Sequence, residues 1–350
     1  MKNAGDVSDS PCSVSHTLPE VIMNNKFNAE STSGEVLKDQ DLSGKRILVT
    51  GASAGLGVET ARALVAHGAE VFGAVRDPEK GKLATQIVRD AAVQGGGKFS
   101  LIQLDLADLH NVRLCAARLK ESGLSLDIII ANAGVMATPY GLTKDGFETQ
   151  FGTNFIGHFV LINRLLPLLK TGGRVVILSS GAHSRANIDL NDINFMHSTY
   201  DPWIAYGRSK TAGALFALEL DRRAQRYGIR AIAVHPGSIR TELQRHYSED
   251  AQDALVASIN EANRKAGRPP FRYKDISQGA ATSVWAAVVA PAEQAGGRYC
   301  EDCHVAQVMD GEGLREGVRS YAADPDQAKA LWDKAEKLTG EKGPSFAEPE

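Results

Sequence analysis

The sequence has few of the features that mark secreted, membrane-bound or nucleic-acid-binding proteins. Its 350 residues include four cysteines, Cys12, Cys115, Cys300 and Cys303, too few for a disulfide framework and typical of a reducing compartment. A formal net charge of -3 gives no reason to expect nucleic acid or an anionic membrane as a partner. No apolar run approaches the roughly 20 residues that span a bilayer, and the N-terminus lacks the apolar core of a signal peptide. We therefore expect a cytoplasmic protein with no membrane span.

Two kinds of segment alternate along most of the chain. Short, nearly all-apolar runs rich in Val and Ile occupy 46–50, 70–75, 99–104, 126–131, 174–179 and 229–234. Amphipathic stretches of helix length lie near 57–67, 79–93, 109–121, 146–170 and 204–226. Strands covered on both faces are this apolar, and repeated strand–helix units imply a parallel sheet. The sequence predicts a single α/β domain with a doubly wound, Rossmann-type parallel sheet, helices on both faces and ligands at the carboxyl ends of its strands.

We place this domain at 42–310. Residues 1–41 are polar and show little periodicity, which predicts a flexible N-terminal arm. Phe27, or Val36 and Leu37, are candidate anchors for that arm.

Two segments interrupt or follow the regular alternation. Residues 239–275 predict an irregular, partly helical insertion that contributes to the substrate lobe. Residues 311–350 predict a C-terminal tail with one short amphipathic helix over 325–338, ended by glycines and a proline.

A glycine-rich turn follows the first predicted strand and precedes the first helix of the alternation. Its candidate cofactor residues are Gly51, Ser53, Ala54, Gly55, Leu56 and Gly57. Glycines let the backbone turn tightly and approach a pyrophosphate, whose charge is favoured at a helix N-terminus. Such a turn can also join a strand to a helix with no ligand, but strand before and helix after are the context that a dinucleotide site requires.

Three further turns follow predicted strands in the order that a dinucleotide site requires. They are Asp105-Leu106 after the third strand, Asn132-Ala133-Gly134 after the fourth, and Pro236-Gly237-Ser238-Ile239 with Thr241 after the sixth. The first could accept a hydrogen bond from an adenine amino group, the second must pass beneath the cofactor, and the third could hold a nicotinamide carboxamide. Each is a common turn by itself, but four turns at four strand ends favour a cofactor site.

Together these motifs resemble the short-chain dehydrogenase/reductase family. The residues that carry the resemblance are TGASAGLG (50–57), NAG (132–134), SSGAHS (179–184), YGRSK (206–210) and HPGSIRT (235–241). The pattern around NFIGHFVL (154–161), SSGAHS and YGRSK is most similar to the retinol-dehydrogenase-like branch and its bacterial and fungal relatives. The resemblance covers about 42–310 and implies an NAD(P)(H)-dependent oxidoreductase.

The choice of cofactor depends on the end of the second predicted strand. A carboxylate at the tip would bind the ribose 2′-hydroxyl and exclude a 2′-phosphate, but the tip is Val75, and Arg76 after it can pair with a phosphate. The resemblance implies that this arrangement favours NADP(H). Asp77 follows Arg76 directly, and Ala54 stands where some NADP enzymes carry a second basic residue, so NAD(H) is the alternative. Arg76 could also be a plain surface residue.

Tyr206 and Lys210 are the candidate acid/base pair. They lie four residues apart, one helical turn, so both side chains face the same way. A nearby ammonium favours tyrosinate and predicts a pKa below the reference of about 10 for the phenol. A bare Tyr-x3-Lys is also common as a surface pair. The resemblance implies that Tyr206 is the catalytic acid/base and that both residues contact the cofactor, Lys210 through the nicotinamide ribose.

Ser180 and Asn154 complete the candidate catalytic set. Ser180 ends the fifth predicted strand and fits a donor to a substrate carbonyl; Ser179 is its rival, and the resemblance favours Ser180. Asn is a poor helix former, so a functional reason is plausible for Asn154 within the predicted helix 146–170; an asparagine that only faces solvent is the alternative. The resemblance implies that Asn154 kinks this helix and holds a water that links the lysine to solvent.

The segments expected to bind substrate are rich in large apolar side chains. They include Met136, Tyr140, Phe195, Met196, Trp203, Leu243, Tyr247 and Phe271. A pocket of this kind suits a small lipophilic carbonyl or alcohol, although the same residues could be core.

The resemblance also implies a homodimer, in which the helices with Asn154 and Tyr206 pair across a two-fold axis. Candidate contact residues on their outer faces are Leu161, Leu165, Leu215, Phe216 and Leu220. The long leader and tail could instead cover that surface and leave a monomer.

Cys300, Cys303 and His304 form a literal Cys-x-x-Cys-His string, the pattern of haem c attachment. Haem attachment belongs to exported proteins, and the string falls near the last strand of a nucleotide-binding fold. We therefore favour ordinary packing over haem, zinc or redox use, and expect no metal site.

The first hypothesis is an NADP(H)-preferring reductase or dehydrogenase that interconverts a lipophilic ketone or aldehyde and its alcohol. A cofactor-binding sensor or scaffold without turnover is the second, although a sensor does not need an acid/base. Reduction of a carbon–carbon double bond is the third, because the same tyrosine could protonate carbon.

Overall fold

One eight-stranded sheet runs through the part of the chain that the structure describes. The computed structural model describes residues 26–343, apart from 246, 248, 266, 268 and 312–315. The strands are β1 (Arg46–Thr50), β2 (Glu70–Val75), β3 (Lys98–Gln103), β4 (Leu126–Ala131), β5 (Leu169–Leu178), β6 (Arg230–His235), β7 (Tyr299–Glu301) and β8 (His304–Val305). Their order is β3-β2-β1-β4-β5-β6-β7-β8; β1 to β7 are parallel and β8 is antiparallel to β7. The predicted doubly wound parallel sheet is confirmed.

All six predicted strands are present, with ends that agree within one residue except at the start of β5. That strand begins at Leu169 instead of Arg174. Leu169 pairs with Leu126, and the register then shifts before Arg174 pairs with Ile128. Gly172 in this stretch has a φ of 83°, which a glycine adopts without strain.

The described helices cover both faces of the sheet. They are α1 (Ser33–Leu37), α2 (Gly55–Val65), α3 (Pro78–Ala84), α4 (Gln86–Gly95), α5 (Leu109–Glu121), α6 (Thr149–Phe151), α7 (Gly157–Leu165), α8 (Pro202–Ala224), α9 (Glu249–Lys265), α10 (Ile276–Val284), α11 (Ala292–Ala295) and α12 (Pro325–Thr339). The predicted helix 79–93 is divided into α3 and α4 at Thr85, whose hydroxyl donates to the Gly81 carbonyl. The predicted helix 146–170 is shorter, and a π-helical turn over Gly152–Ile156 separates α6 from α7.

Each face of the sheet has its own apolar core. One core lies under α5, α7, α8 and α12, with Phe155, Phe159 and Trp332 among its largest buried side chains. The other lies under α1, α2, α4 and α10, with Leu64 and Trp285. Burial on both faces explains why the strands are apolar throughout instead of alternating.

The described part of the predicted N-terminal arm is folded. Thr32 and Glu35 form a reciprocal capping box at the start of α1, and Val36 and Leu37 are buried. The Ser33 hydroxyl donates to Glu59 of α2 at 2.5 Å. The prediction of a flexible arm up to residue 41 is thus wrong for this helix, because its apolar face is buried on the domain; residues 1–25 lie outside the described residues.

The predicted C-terminal helix is present as α12, and it is part of a core and not of a detached tail. Trp332 contacts the rings of Phe159 and Phe216. Beyond the helix, the buried Glu341 accepts hydrogen bonds from Arg113 and Arg164, both at 2.9 Å. The prediction of a tail is corrected here, since a helix with one buried face and an anchored end packs like the other helices of the domain.

The outer faces of α7 and α8 are covered within one chain. The five side chains predicted for the dimer contact are all buried, namely Leu161, Leu165, Leu215, Phe216 and Leu220. They therefore form no exposed dimer face.

The predicted insertion 239–275 contains a 3-10 turn over Glu242–Gln244 and helix α9. Near its end Lys274 pairs with Ile239 in an isolated β-bridge outside the named strands. In the described ranges, no helix is both long and apolar enough to cross a bilayer.

Candidate active site

The glycine-rich turn brings backbone, and no bulky side chain, to the end of β1. Gly51 and Gly55 have φ values of 69° and 50°, a region that L side chains rarely adopt. A Cβ at Gly57 would lie 2.1 Å from the Gly51 carbonyl oxygen. Ala54 gives α2 no side-chain cap, so the first N–H groups of this helix are available to an anionic group.

The end of β4 is tied to the end of β1 beneath this turn. Asn132 Nδ2 donates to the Thr50 carbonyl oxygen at 2.8 Å, and the Ala133 N–H donates to Thr50 Oγ1 at 3.0 Å. His158 lies behind them: its Nδ1 is 3.0 Å from the Asn154 carbonyl oxygen and its Nε2 is 2.9 Å from Thr50 Oγ1. Because a carbonyl can only accept, Nδ1 carries the proton and Nε2 accepts. Burial lowers the pKa of His158 to about 4, which keeps this arrangement neutral.

Tyr206 and Lys210 lie one turn apart on α8 and are both buried. Burial raises the pKa of Tyr206 to about 12, and the neighbouring Ser180 hydroxyl opposes this shift. Burial lowers the pKa of Lys210 to about 8. Lys210 Nζ donates to the Leu178 carbonyl oxygen at 2.8 Å and is 5.6 Å from the centre of the tyrosine ring. The direction of this shift is opposite to the lowering predicted from the nearby ammonium, because burial is its largest cause.

Ser180 and Ser179 use their hydroxyls differently. Ser180 caps the short helix that follows β5 and lies beside Tyr206, whereas Ser179 Oγ donates to the Lys210 carbonyl oxygen at 2.8 Å. The Ser180 carbonyl oxygen accepts from His183 Nδ1 at 2.8 Å. This geometry favours Ser180 over Ser179 as the group that faces a substrate.

Asn154 lies in the π-helical turn between α6 and α7. Its Oδ1 accepts from the Val135 N–H at 2.8 Å, and its Nδ2 donates to the Val135 carbonyl oxygen and to Ser209 Oγ, both at 2.9 Å. The side chain thus connects α8 to the loop after β4. π-helical turns are rare and are frequent at functional sites.

One cavity of about 1210 Å³ collects most of the predicted site residues. Every residue predicted to bind cofactor lines it, and so does Ser180. Asn154 is not among the lining residues and stands behind the wall, one hydrogen bond from Val135.

Arg76 is exposed at the rim of this cavity, after the end of β2. Asp77 beside it does not line the cavity; its carboxylate caps α3 by accepting from the N–H groups of Glu79 and Lys80. The carboxylate of Asp77 is therefore engaged by a helix, while Arg76 lines the cavity.

The substrate side of the cavity agrees only partly with the residues expected there. Met136, Trp203, Leu243, Tyr247 and Phe271 line it. The other three expected residues, Tyr140, Phe195 and Met196, are not among the lining residues. Phe195 packs on Tyr200 and Arg208 instead, and Met196 is exposed.

Sequence reasoning missed three arginines that line the cavity, Arg185, Arg245 and Arg319. The guanidinium of Arg185 lies 5.1 Å from the ring centre of Trp203. The N–H of Arg319 donates to His183 Nε2 at 3.1 Å, so the segment before α12 reaches the loop that carries Ser180. No motif spacing in the sequence indicates these contacts of Arg185 and Arg319.

The Cys-x-x-Cys-His string forms the hairpin between β7 and β8. Cys300 and Cys303 are buried free thiols within an apolar cluster, and burial raises the pKa of Cys303 to about 11. Within the described ranges, no group of three or more His, Cys, Asp and Glu side chains is placed to hold a metal ion.

Comparison with known proteins agrees with the geometry of the site. The family model for short chain dehydrogenases matches residues 45–252. A probable oxidoreductase from Streptomyces lividans is 43% identical over 297 residues, which cover 84% of this chain and 97% of that protein. Retinol dehydrogenase 13 from Mus musculus is 36% identical over 305 residues, 85% of each chain.

A solved structure shows the same fold. The short chain dehydrogenase from Burkholderia cenocepacia J2315 in complex with NADP has a TM-score of 0.58 and 27% identity, and the match covers 74% of this chain and 96% of that one. The protein thus belongs to the short-chain dehydrogenase/reductase family of oxidoreductases, among relatives that include a retinol dehydrogenase.

Proposed function

We propose that the protein is an NADP(H)-preferring enzyme that interconverts a lipophilic ketone or aldehyde and its alcohol. The observation that carries this proposal is the placement of Tyr206, Ser180 and Lys210 in one cavity with the glycine-rich turn. When bound, the nicotinamide supplies the hydride for reduction and accepts it in oxidation.

The described residues fit such a cofactor. A Cβ at Gly51 would lie 2.8 Å from Ala133 Cα, and one at Gly134 would lie 3.0 Å from Asn154 Oδ1, so the glycines keep a close backbone cradle free of side chains. The turn 51–57 would hold the pyrophosphate, Asp105 and Leu106 the adenine, and the segment from Pro236 to Thr241 the nicotinamide. Tyr206 and Lys210 would contact the nicotinamide ribose.

Tyr206 is proposed to move the proton. A pKa of about 12 keeps the phenol protonated at neutral pH, ready to donate to the carbonyl oxygen as the alkoxide develops. The Ser180 hydroxyl donates to the same oxygen and orients it. In the reverse direction the tyrosinate accepts the alcohol proton, and the Lys210 ammonium stabilises that charge. Asn154 positions α8 through Ser209.

Two observations support the finer parts of the proposal. Arg76 at the rim can pair with a 2′-phosphate, and the relative from Burkholderia cenocepacia is in complex with NADP. Met136, Trp203 and Leu243 give the substrate side an apolar wall, as a lipophilic carbonyl compound requires.

The test is turnover of NADPH and NADH with a panel of lipophilic ketones and aldehydes. Tyr206→Phe should lower kcat by about 10²–10⁴-fold, whereas Tyr140→Phe, which changes an exposed tyrosine that does not line the cavity, should leave kcat unchanged. Mass spectrometry of the product separates carbonyl reduction from double-bond reduction. Full activity of Tyr206→Phe would refute the assigned acid/base, and tight cofactor binding without turnover would favour the sensor.

A further inference from the structure

The substrate side of the cavity carries positive charge in a chain whose net charge is negative. Among the lining residues that the structure describes, the charged side chains on this side are Arg185, Glu242, Arg245 and Arg319. This side of the cavity is therefore lined by three arginines and one glutamate, while the whole chain has a net charge of -3. A cleft lined by one sign of charge attracts ligands of the opposite sign.

Arg185 is the arginine of this set with the most unused hydrogen-bonding capacity. Arg245 donates to the Glu242 carbonyl oxygen at 3.3 Å, and Arg319 to the Met309 carbonyl oxygen at 2.6 Å. Within the described ranges the Arg185 guanidinium contacts the face of Trp203 and has neither a hydrogen-bond nor an ion-pair partner. Its N–H groups form a rigid planar fork that matches a carboxylate.

Arg185 is also held next to the reaction centre. A Cβ at Gly207, the residue after Tyr206, would lie 3.3 Å from Arg185 Cβ. Trp203, which lies beneath the guanidinium, has its ring centre 6.2 Å from that of Tyr206. The stacked ring limits the freedom of the guanidinium, so less entropy is lost when the fork binds an anion.

We propose that the substrate carries a carboxylate, which Arg185 binds while Tyr206 serves the carbonyl at the other end of an apolar skeleton. This inference rests on the proposed function and narrows its substrate class to lipophilic oxo acids and the corresponding hydroxy acids. The apolar part of such a compound lies against Met136, Trp203 and Leu243, and the carboxylate replaces the water around the fork with two charge-assisted hydrogen bonds.

The test compares aryl oxo acids of increasing chain length with carboxamides of the same skeletons. The pair has nearly the same shape and differs in charge. With the wild-type enzyme and NADPH, we expect kcat/KM for the best oxo acid to exceed that for its carboxamide about tenfold, the ratio that one charge-assisted bidentate contact contributes. The preference should shrink as ionic strength rises, since the contact is partly exposed.

Three variants assign the preference to a residue. Arg185→Leu should abolish the acid-to-amide ratio by lowering kcat/KM for the acid far more than for the amide. Arg185→Lys, which keeps the charge but not the fork, should give an intermediate ratio. The matched control is Arg226→Leu, because Arg226 also stacks on an aromatic ring, Tyr227, at 4.8 Å but does not line the cavity; this variant should keep the wild-type ratio.

The outcomes separate this inference from the proposed function. Turnover of the amides with no preference for the acids, or a preference that Arg185→Leu retains, would overturn the carboxylate and leave the reductase intact. Absence of turnover with every carbonyl compound would overturn the reductase itself. In that case calorimetry tests the anion site independently, by comparing the affinities of the cofactor-loaded protein for arylalkanoates and for their amides. Equal affinities would overturn the proposed carboxylate site.

Discussion

The cofactor end and the substrate end of the cavity are built by different means. At the cofactor end, backbone forms the surface: a Cβ at Gly57 would overlap the Gly51 carbonyl, and α2 offers uncapped N–H groups. At the substrate end, side chains form the surface, among them Trp203, Leu243 and Arg185. A surface of backbone tolerates almost no substitution, whereas a surface of side chains can change its ligand with little effect on the fold.

Substitution at the backbone surface should have the largest effect. Gly57→Ala places a Cβ 2.1 Å from a carbonyl oxygen, so we expect the affinity for NADPH to fall by more than about 100-fold, or roughly 3 kcal/mol. Fluorescence titration with NADPH measures it. Gly34→Ala is the matched control, since a Cβ there meets nothing within 4 Å. Equal affinities for the two variants would show that the turn is less constrained than its geometry implies.

Lys210 lies where the cofactor end and the substrate end meet, and its substitution should have opposite effects on activity and stability. Lys210→Met removes a buried ammonium, and we expect loss of turnover together with a free energy of unfolding that is higher by about 1–2 kcal/mol at pH 7. This gain in the free energy of unfolding is smaller than the desolvation penalty of the ammonium, because the Leu178 carbonyl oxygen loses its hydrogen-bond donor.

The pH dependence of this gain follows from the lowered pKa. Between a folded pKa of about 8 and the ordinary 10.5, the unfolded wild-type chain binds more protons than the folded one, so wild-type stability rises with pH. The advantage of Lys210→Met should be complete below pH 8 and shrink towards pH 10.5. Guanidinium unfolding at pH 7 and pH 10 measures it, with the exposed Lys120→Met as control. A variant less stable than the wild type at pH 7 would contradict the expectation.

Substitution of Arg76, at the rim of the cofactor end, should have a moderate effect on KM that depends on the cofactor. Arg76→Leu is expected to raise KM for NADPH about tenfold and to leave KM for NADH unchanged, because only the 2′-phosphate meets the guanidinium. Lys98→Leu, an exposed change at the opposite end of the neighbouring strand β3, controls for loss of surface charge. A parallel rise in both KM values would assign Arg76 to something other than the 2′-phosphate.

The substrate end should show the smallest effect. Leu243→Ala removes apolar contact from the cavity wall, worth about 1 kcal/mol, so KM for a lipophilic ketone should rise about fivefold while the affinity for NADPH stays the same. Leu142→Ala changes an exposed leucine that does not line the cavity and should alter neither quantity. If Leu243→Ala weakened NADPH binding as strongly as substrate binding, the two ends would not be independent.

The same difference explains what could be predicted from the sequence. The glycines at the ends of β1, β4 and β6 can be recognised directly in the sequence, because a close approach of the backbone requires glycine there. Every residue predicted to bind cofactor lies at the cavity. The strands were recognisable because burial on both faces makes them apolar throughout. An asparagine inside a helical pattern indicated something unusual, and a π-helical turn lies there.

The predictions that were wrong depend on contacts between residues far apart in the chain. Periodicity does not show that Phe195 turns towards Arg208, or that α1 packs on α2 and α10. The spacing of Tyr206 and Lys210 places both on one face, but the pKa of the tyrosine depends on how many atoms exclude water around it. That number is set by the whole fold and cannot be predicted from the local sequence between Tyr206 and Lys210.

Helix α12 has a consequence for how the protein responds to dilution. Trp332 packs, within the same chain, on the face of α7 and α8 at which the family resemblance predicts a second subunit. A cover supplied by the same chain is present at the same ratio at every concentration, and any association through this face must be coupled to its release. Activity per molecule should therefore stay constant from micromolar to picomolar protein. An enzyme that needs a partner subunit to complete its core would lose activity over this range.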